Sequence, residues 1–242
     1  MATFVLIHGA WHGGWCWERV VPLLEGRGHR ALAPDLPGMG EDATPLHAVT
    51  MGRWVESVRA LIERQHEPVV LVGHSRGGVV ISQVAEAVPA RVEQLVYLAA
   101  FMLPSGQTLG GALAEFRAVP ADTEPLEFSA DRSTSTIKAA SRRPVFYNAT
   151  DDAWAERAAG LLKPEPMMSF RTPVTTTDEH FGRVPRSYVE CTRDRAIDIE
   201  LQRSFHRRMP CRRVITLDTD HSPFYSAPES LASALDALAT TR

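Results

Sequence analysis

The stretch Pro68-Val69-Val70-Leu71-Val72-Gly73-His74-Ser75-Arg76-Gly77-Gly78-Val79-Val80-Ile81-Ser82-Gln83-Val84-Ala85 decides how this chain is read. It opens on a short apolar run of strand character and closes on a run of helical character. Between them, Gly73–Gly77 has the form G-x-S-x-G. A serine on so sharp a strand-to-helix turn is pushed out of the backbone surface, and the flanking glycines let the chain turn and let a reacting group come close. The first N–H groups of the helix then lie beside the serine oxygen, where an oxyanion would form. The pentapeptide alone is common, and a glycine-rich turn with an ordinary serine is the plain alternative. The strand before it and the helix after it make Ser75 the nucleophile of an elbow.

Outward from the elbow, strand and helix patterns alternate. Phe4–His8 reads as a strand, Trp17–Arg27 as a helix and Arg30–Pro34 as strand-like. Met51–Gln65 is an amphipathic helix, with Trp54, Val55, Val58, Leu61 and Ile62 at helical spacing. Val69–Val72 and Val92–Ala99 are further strands, followed much later by Arg186–Cys191, Val214–Leu217 and a closing helix, Pro228–Leu238. Short apolar strands separated by helices predict a mainly parallel sheet with helices on both faces. Residues 103–185 break the rhythm with Pro104, Pro120, Pro125, Pro144, Pro164, Pro166, Pro173 and Pro185, and with a helical patch at Ala153–Leu162. They read as an insertion between two sheet strands. The expectation is one domain over residues 1–242, with a core of 1–102 and 186–242.

The 242 residues are 44% hydrophobic and 23% charged, enough for one substantial core. A net charge of −3 gives no basic surface for nucleic acid or an anionic membrane. No apolar run is long enough to span a bilayer, and Phe4-Val5-Leu6-Ile7 follows Met1 with no basic or cleavage-type segment, so the expected location is cytoplasmic. Cys16, Cys191 and Cys211 are odd in number and fit neither a disulfide framework nor a zinc site.

A serine is a weak nucleophile and needs a base, usually a histidine oriented by a carboxylate. On a sheet of this kind the order is serine, acid, histidine. His221 lies in the loop after the last strand, whereas its rival His206 sits in a basic helical stretch and reads as solvated. Asp194 lies in the loop after Ser187–Cys191. Asp198 is the runner-up, with a helix N-terminal role as its alternative. Asp218 and Asp220 read as loop residues. The oxyanion donors expected are the backbone N–H groups of Ala10, in the loop after the first strand, and of Arg76. His8 and His12 have no third ligand near them in sequence and read as structural. The Arg76 side chain either pairs with a carboxylate or reaches toward the insertion. Gly9–Gly14 has neither the lysine of a phosphate loop nor the spacing of a dinucleotide fingerprint, so it is not read as a nucleotide site, and His8 and His12 are not read as a metal site. Trp11, Trp15, Phe146, Tyr147, Trp154, Met167, Met168 and Phe170 are candidate pocket residues, although each alone is more often core.

The chain resembles the α/β-hydrolases, and within them the plant methylesterase and hydroxynitrile lyase group with its bacterial pyrethroid-hydrolase-like relatives. The matching stretches are Phe4–Trp15, Val72–Ser75, Leu98–Met102, Phe181–Val184, Cys191–Ile197 and Asp220–Phe224. The resemblance implies an α/β-hydrolase fold with a helical cap inserted after the sixth strand. It also implies a Ser75–Asp194–His221 triad, cofactor-free chemistry and a small-molecule ester as substrate; it allows a homodimer. The lyases of the group carry threonine where this chain has Gly9, glutamate where it has His74 and lysine where it has Ser222. These departures favour ester hydrolysis over C–C cleavage. Lactone or thioester hydrolysis, and a ligand-binding receptor of the same fold, remain alternatives.

Overall fold

Strand-forming runs become a six-stranded sheet of order β2-β1-β3-β4-β8-β9 in the computed structural model, which describes residues 1–116 and 125–240. Its strands are β1 (Thr3–Ile7), β2 (Arg30–Leu32), β3 (Val69–His74), β4 (Val92–Leu98), β8 (Arg186–Cys191) and β9 (Arg213–Leu217). Every pairing in it is parallel. β3 is buried along its whole length, which explains its unbroken apolar sequence: a strand covered on both faces has no polar face to alternate.

The helices of this core are α1 (Val20–Glu25), α2 (Met51–Glu63), α3 (Gly77–Ala87), α8 (Ile199–Arg208), α9 (Pro223–Ser226) and α10 (Pro228–Thr240). The chain moves from β1 outward to β2, then turns back past β1 to β3. Right-handed crossovers therefore place α1 and α2 on opposite faces. The packing agrees: α1 lies against α10, and α2 against α3. Thr50 caps α2 by accepting from Arg53 N, and the helix buries Trp54, Val58 and Ile62 at a spacing of four.

The order reverses between β1 and β3, and in open α/β sheets such a switch point opens a crevice at the strands' C-terminal ends. The register Ile7↔Gly73, Gly73↔Tyr97 and Cys191↔Leu217 brings the loops after β1, β3, β8 and β9 to that one edge.

Residues 103–185 hold α4 (Leu109–Phe116), α5 (Ala139–Phe146), α6 (Asp152–Leu161) and α7 (Met168–Arg171), as well as an antiparallel sheet β5 (Leu126–Phe128), β6 (Thr134–Ile137) and β7 (Glu165–Pro166). Two details differ from expectation. The insertion follows the fourth strand rather than the sixth, because only four runs before it pair into the sheet. It is also not purely helical: the β-branched alternation Thr134-Ser135-Thr136-Ile137 pairs as a strand. Pro120 lies outside the described residues.

Among the described residues, no helix is long and apolar enough to cross a membrane. The cysteines are unpaired, and burial pushes the Cys211 thiol up to about 11.

Candidate active site

Ser75 occupies the elbow with φ at +54°, in the left-handed region that only a tightly held non-glycine residue adopts. The hold is local. Its N–H donates to Leu98 O at 3.2 Å, and its carbonyl accepts from Gly78 N and Phe101 N, both at 3.1 Å. The turn needs glycine at position 73: a Cβ there would come within 2.7 Å of the Gly77 carbonyl oxygen. Arg76, the next residue, stands at the N-terminus of α3.

His221, from the loop after β9, is buried and lines the same cleft as Ser75, Arg76 and Ala10. Its Nδ1 donates to Asp194 Oδ2 at 2.7 Å. With Nδ1 carrying the hydrogen, the neutral ring keeps Nε2 as a base. Asp194 is itself fixed from all sides. Its Oδ1 accepts from Ala196 N at 2.7 Å and Ile197 N at 2.9 Å, and its Oδ2 also accepts from Gln202 Nε2 at 3.1 Å. Asp198 is elsewhere: it caps α8, accepting from Leu201 N at 2.9 Å. His206 is not solvated as its basic neighbours suggested, because its Nε2 meets Glu190 at 3.1 Å.

His8, His12 and His74 are buried near the site. His12 donates from Nδ1 to Ala10 O at 2.7 Å and accepts from the Tyr147 hydroxyl at 2.9 Å. His8 donates to Gly9 O and accepts from Leu36 N. His74 Nε2 donates to the His221 carbonyl at 2.8 Å, bracing the histidine loop. Burial lowers all three imidazoles, His12 to about 3, so they are neutral scaffolding. Asp220 is more than a loop residue. It is buried and accepts from Ser222 N, the Ser226 hydroxyl, Ala149 N and the Thr150 hydroxyl, the last two belonging to the insertion.

The cleft above Ser75 is narrow, mostly apolar and partly open to solvent. Of the aromatic and methionine candidates, Trp11, Phe146 and Phe170 line it. Tyr147 instead bonds His12, and Trp154 stacks on Tyr225. Leu109, Leu113, Leu126, Ile137 and Val145 complete an apolar wall that aromatic composition did not point to.

The Arg76 side chain does both things expected of it. It is buried and reaches the insertion, where Nε donates to Glu165 Oε1 at 3.0 Å, and its guanidinium lies 4.2 Å over the Trp54 ring. Glu165 was not singled out in the sequence. A lone glutamate between two prolines gives no local signal, and its partners are distant along the chain.

The alpha/beta hydrolase family model matches residues 4–234. Methylesterase 1 of Arabidopsis thaliana is 32% identical, covering 95% of this chain and 92% of its own length. The alpha-hydroxynitrile lyase of the same plant is 31% identical, covering 98% of this chain and 96% of its own. Among solved structures, a pyrethroid hydrolase from Sphingobium faniae superposes with a TM-score of 0.88 at 30% identity, over 99% of this chain and 98% of that one.

Proposed function

This chain belongs to the alpha/beta hydrolase family, and from that premise we propose that it is a serine carboxylic-ester hydrolase acting on small to medium apolar esters. The observation that carries the reading is the convergence of Ser75, His221 and the Ala10 and Arg76 backbones on one apolar cleft, with Asp194 behind His221. His221 Nε2 takes the Ser75 proton as the oxygen attacks the ester carbonyl. Asp194 holds the tautomer and stabilises the imidazolium. The N–H groups of Ala10 and Arg76 stabilise the tetrahedral oxyanion. The His221 imidazolium returns the proton to the departing alkoxide, which leaves as the neutral alcohol, and water activated by His221 then releases the acid. Residues 103–185 act as the cap that shapes the cleft.

The substrate is neutral because, among the described residues, the cleft offers no uncommitted cation. Arg76 alone of the nearby arginines lines it, and Glu165 already neutralises that charge. Arg142 donates to Ile137 O and Ala159 O, Arg143 pairs with Asp152, and Arg171 donates to Arg132 O. A carboxylate-bearing ester would be desolvated there without a partner.

Lyase chemistry fits less well. A Cβ at position 9 would stand 2.9 Å from His74 Nδ1 and 3.0 Å from Ser75 Cβ, so the threonine of the lyases has no room beside His74. The test is a turnover panel: neutral esters of rising apolar size, matched carboxylate-bearing esters, a lactone, a thioester and a cyanohydrin. Neutral esters should dominate, with kcat/KM rising with apolar size until the cleft is full. Faster cleavage of the cyanohydrin, or ligand binding without turnover of any ester, would overturn the reading.

A further inference from the structure

Trp11 directly follows Ala10 and is held with φ at +62°. For a bulky aromatic residue this is strained backbone that surrounding contacts must impose. Those contacts share one origin. The Trp11 N–H donates to Glu165 Oε2 at 3.1 Å, its indole Nε1 donates to Ser135 O at 3.1 Å, and its carbonyl accepts from Lys163 N at 3.0 Å. All three partners belong to residues 103–185.

Glu165 does more than bind Trp11. It is fully buried and also accepts from Arg76 Nε at 3.0 Å, from Arg76 Nη2 at 3.5 Å and from the Ser169 hydroxyl at 2.8 Å. Arg76 Nη2 in turn donates to Gly9 O at 3.0 Å. One carboxylate therefore touches the residue after Ala10 and, through the Arg76 side chain, the peptide before Ala10 and the residue after Ser75. A buried carboxylate persists only when its acceptor sites are filled, so moving any one partner disturbs the others.

We propose that Glu165 is a positioning residue for the reaction: from within the insertion it fixes the Ala10–Trp11 turn and the Arg76 end of the elbow, and so sets the geometry of the oxyanion hole. The proposal rests on the esterase reading. Donors of this kind act only when aimed at the oxygen as charge develops, and a small misplacement costs rate rather than substrate affinity.

Removing Glu165 alone strands a buried guanidinium and risks unfolding. The test therefore compares two chains in which Arg76→Met removes that charge. One carries Glu165→Gln, which keeps an oxygen for the Trp11 N–H, and the other Glu165→Leu, which keeps none. Kinetics use the best neutral ester of the panel, with an alkyl trifluoromethyl ketone as the oxyanion probe and the matching methyl ketone as ground-state control.

The leucine chain should show kcat about 10- to 100-fold below the glutamine chain, with KM within a few fold and an unchanged pH profile. Its affinity for the trifluoromethyl ketone should fall in parallel, and for the methyl ketone hardly at all. Equal kcat in the two chains, or a loss confined to KM, overturns the proposal. If the leucine chain does not fold, wild type and Glu165→Asp are compared instead, since aspartate keeps the charge but draws the oxygens back by one methylene. Parallel losses of kcat and probe affinity then support the proposal, and their absence overturns it. A wild type that turns over no ester would sink the esterase reading itself, whereas an active wild type with indistinguishable variants sinks only the role of Glu165.

Discussion

The C-terminal edge of the main sheet and the insertion both build the cleft, but they hold their polar groups in different ways. At the sheet edge the contacts stay within a loop or reach the neighbouring strand: Asp194 is held by Ala196, Ile197 and Gln202, and Ser75 by Gly78 in its own turn and by Leu98 and Phe101 at the end of β4. In the insertion they are long: Glu165 meets Arg76 and Trp11 at separations of 89 and 154 residues. The difference separates two tasks. Local turns present reactive groups, and distant contacts set the space around them.

If the sheet edge carries the chemistry, its variants should lose rate on every substrate alike. Ser75→Ala should lower kcat by roughly 10⁶ while leaving the melting temperature nearly unchanged. A folded variant retaining a few per cent of activity would break the division of tasks at its centre. Asp194→Asn should cost about 10⁴ in kcat, because an amide neither stabilises the imidazolium nor enforces the tautomer. Asp198→Asn should stay within a few fold, since asparagine caps a helix nearly as well. Equal losses in the two would exchange their roles.

Variants in the insertion should instead re-rank substrates. Ile137→Val opens the wall by one methylene, which should favour an ester one methylene longer by roughly 10-fold in relative kcat/KM. Activity on the smallest ester should be nearly unaffected. A uniform loss across the series would show that this wall supports the chemistry as well as the fit.

The junction of the two regions gives the smallest effect. His12 bridges the Ala10 carbonyl and Tyr147, and burial lowers it to about 3. Folded, it is neutral below pH 6.5; unfolded, it binds a proton there. The unfolded chain thus takes up more protons, and stability is lost as pH falls from about 6.5 toward 3. Urea unfolding across that range should show His12→Gln reducing the slope by up to about 1.4 kcal/mol per pH unit. An unchanged slope would mean that His12 is charged in the folded protein.

The same contrast explains what the sequence disclosed. β3, the elbow glycines and the residues after β8 and β9 are short patterns whose spacing dictates a turn or a strand, so the places of Ser75, Asp194 and His221 at the sheet edge were legible in the sequence. The strand Thr134–Ile137 is as short but lies among prolines, and its partners are not adjacent strands of the main sheet. The cleft-lining leucines of α4 look like any core leucines. Trp11 at positive φ has no composition cue, because nothing in an Ala-Trp-His run signals a left-handed residue; the cause is Glu165, in β7. The role of His74 is hidden for a related reason. Its partner is a backbone carbonyl 147 residues away, and carbonyls have no sequence signature.

Asp220 sets a rule for exchanging parts between relatives. One of its oxygens fastens the His221 loop through Ser222 and Ser226, and the other grips Ala149 and Thr150. A chimera that imports a foreign segment for 103–185 must therefore import donors at those two places. Without them, a buried carboxylate one residue from His221, the proposed general base, would be left half-solvated, and the graft would fail at the histidine rather than at the seam.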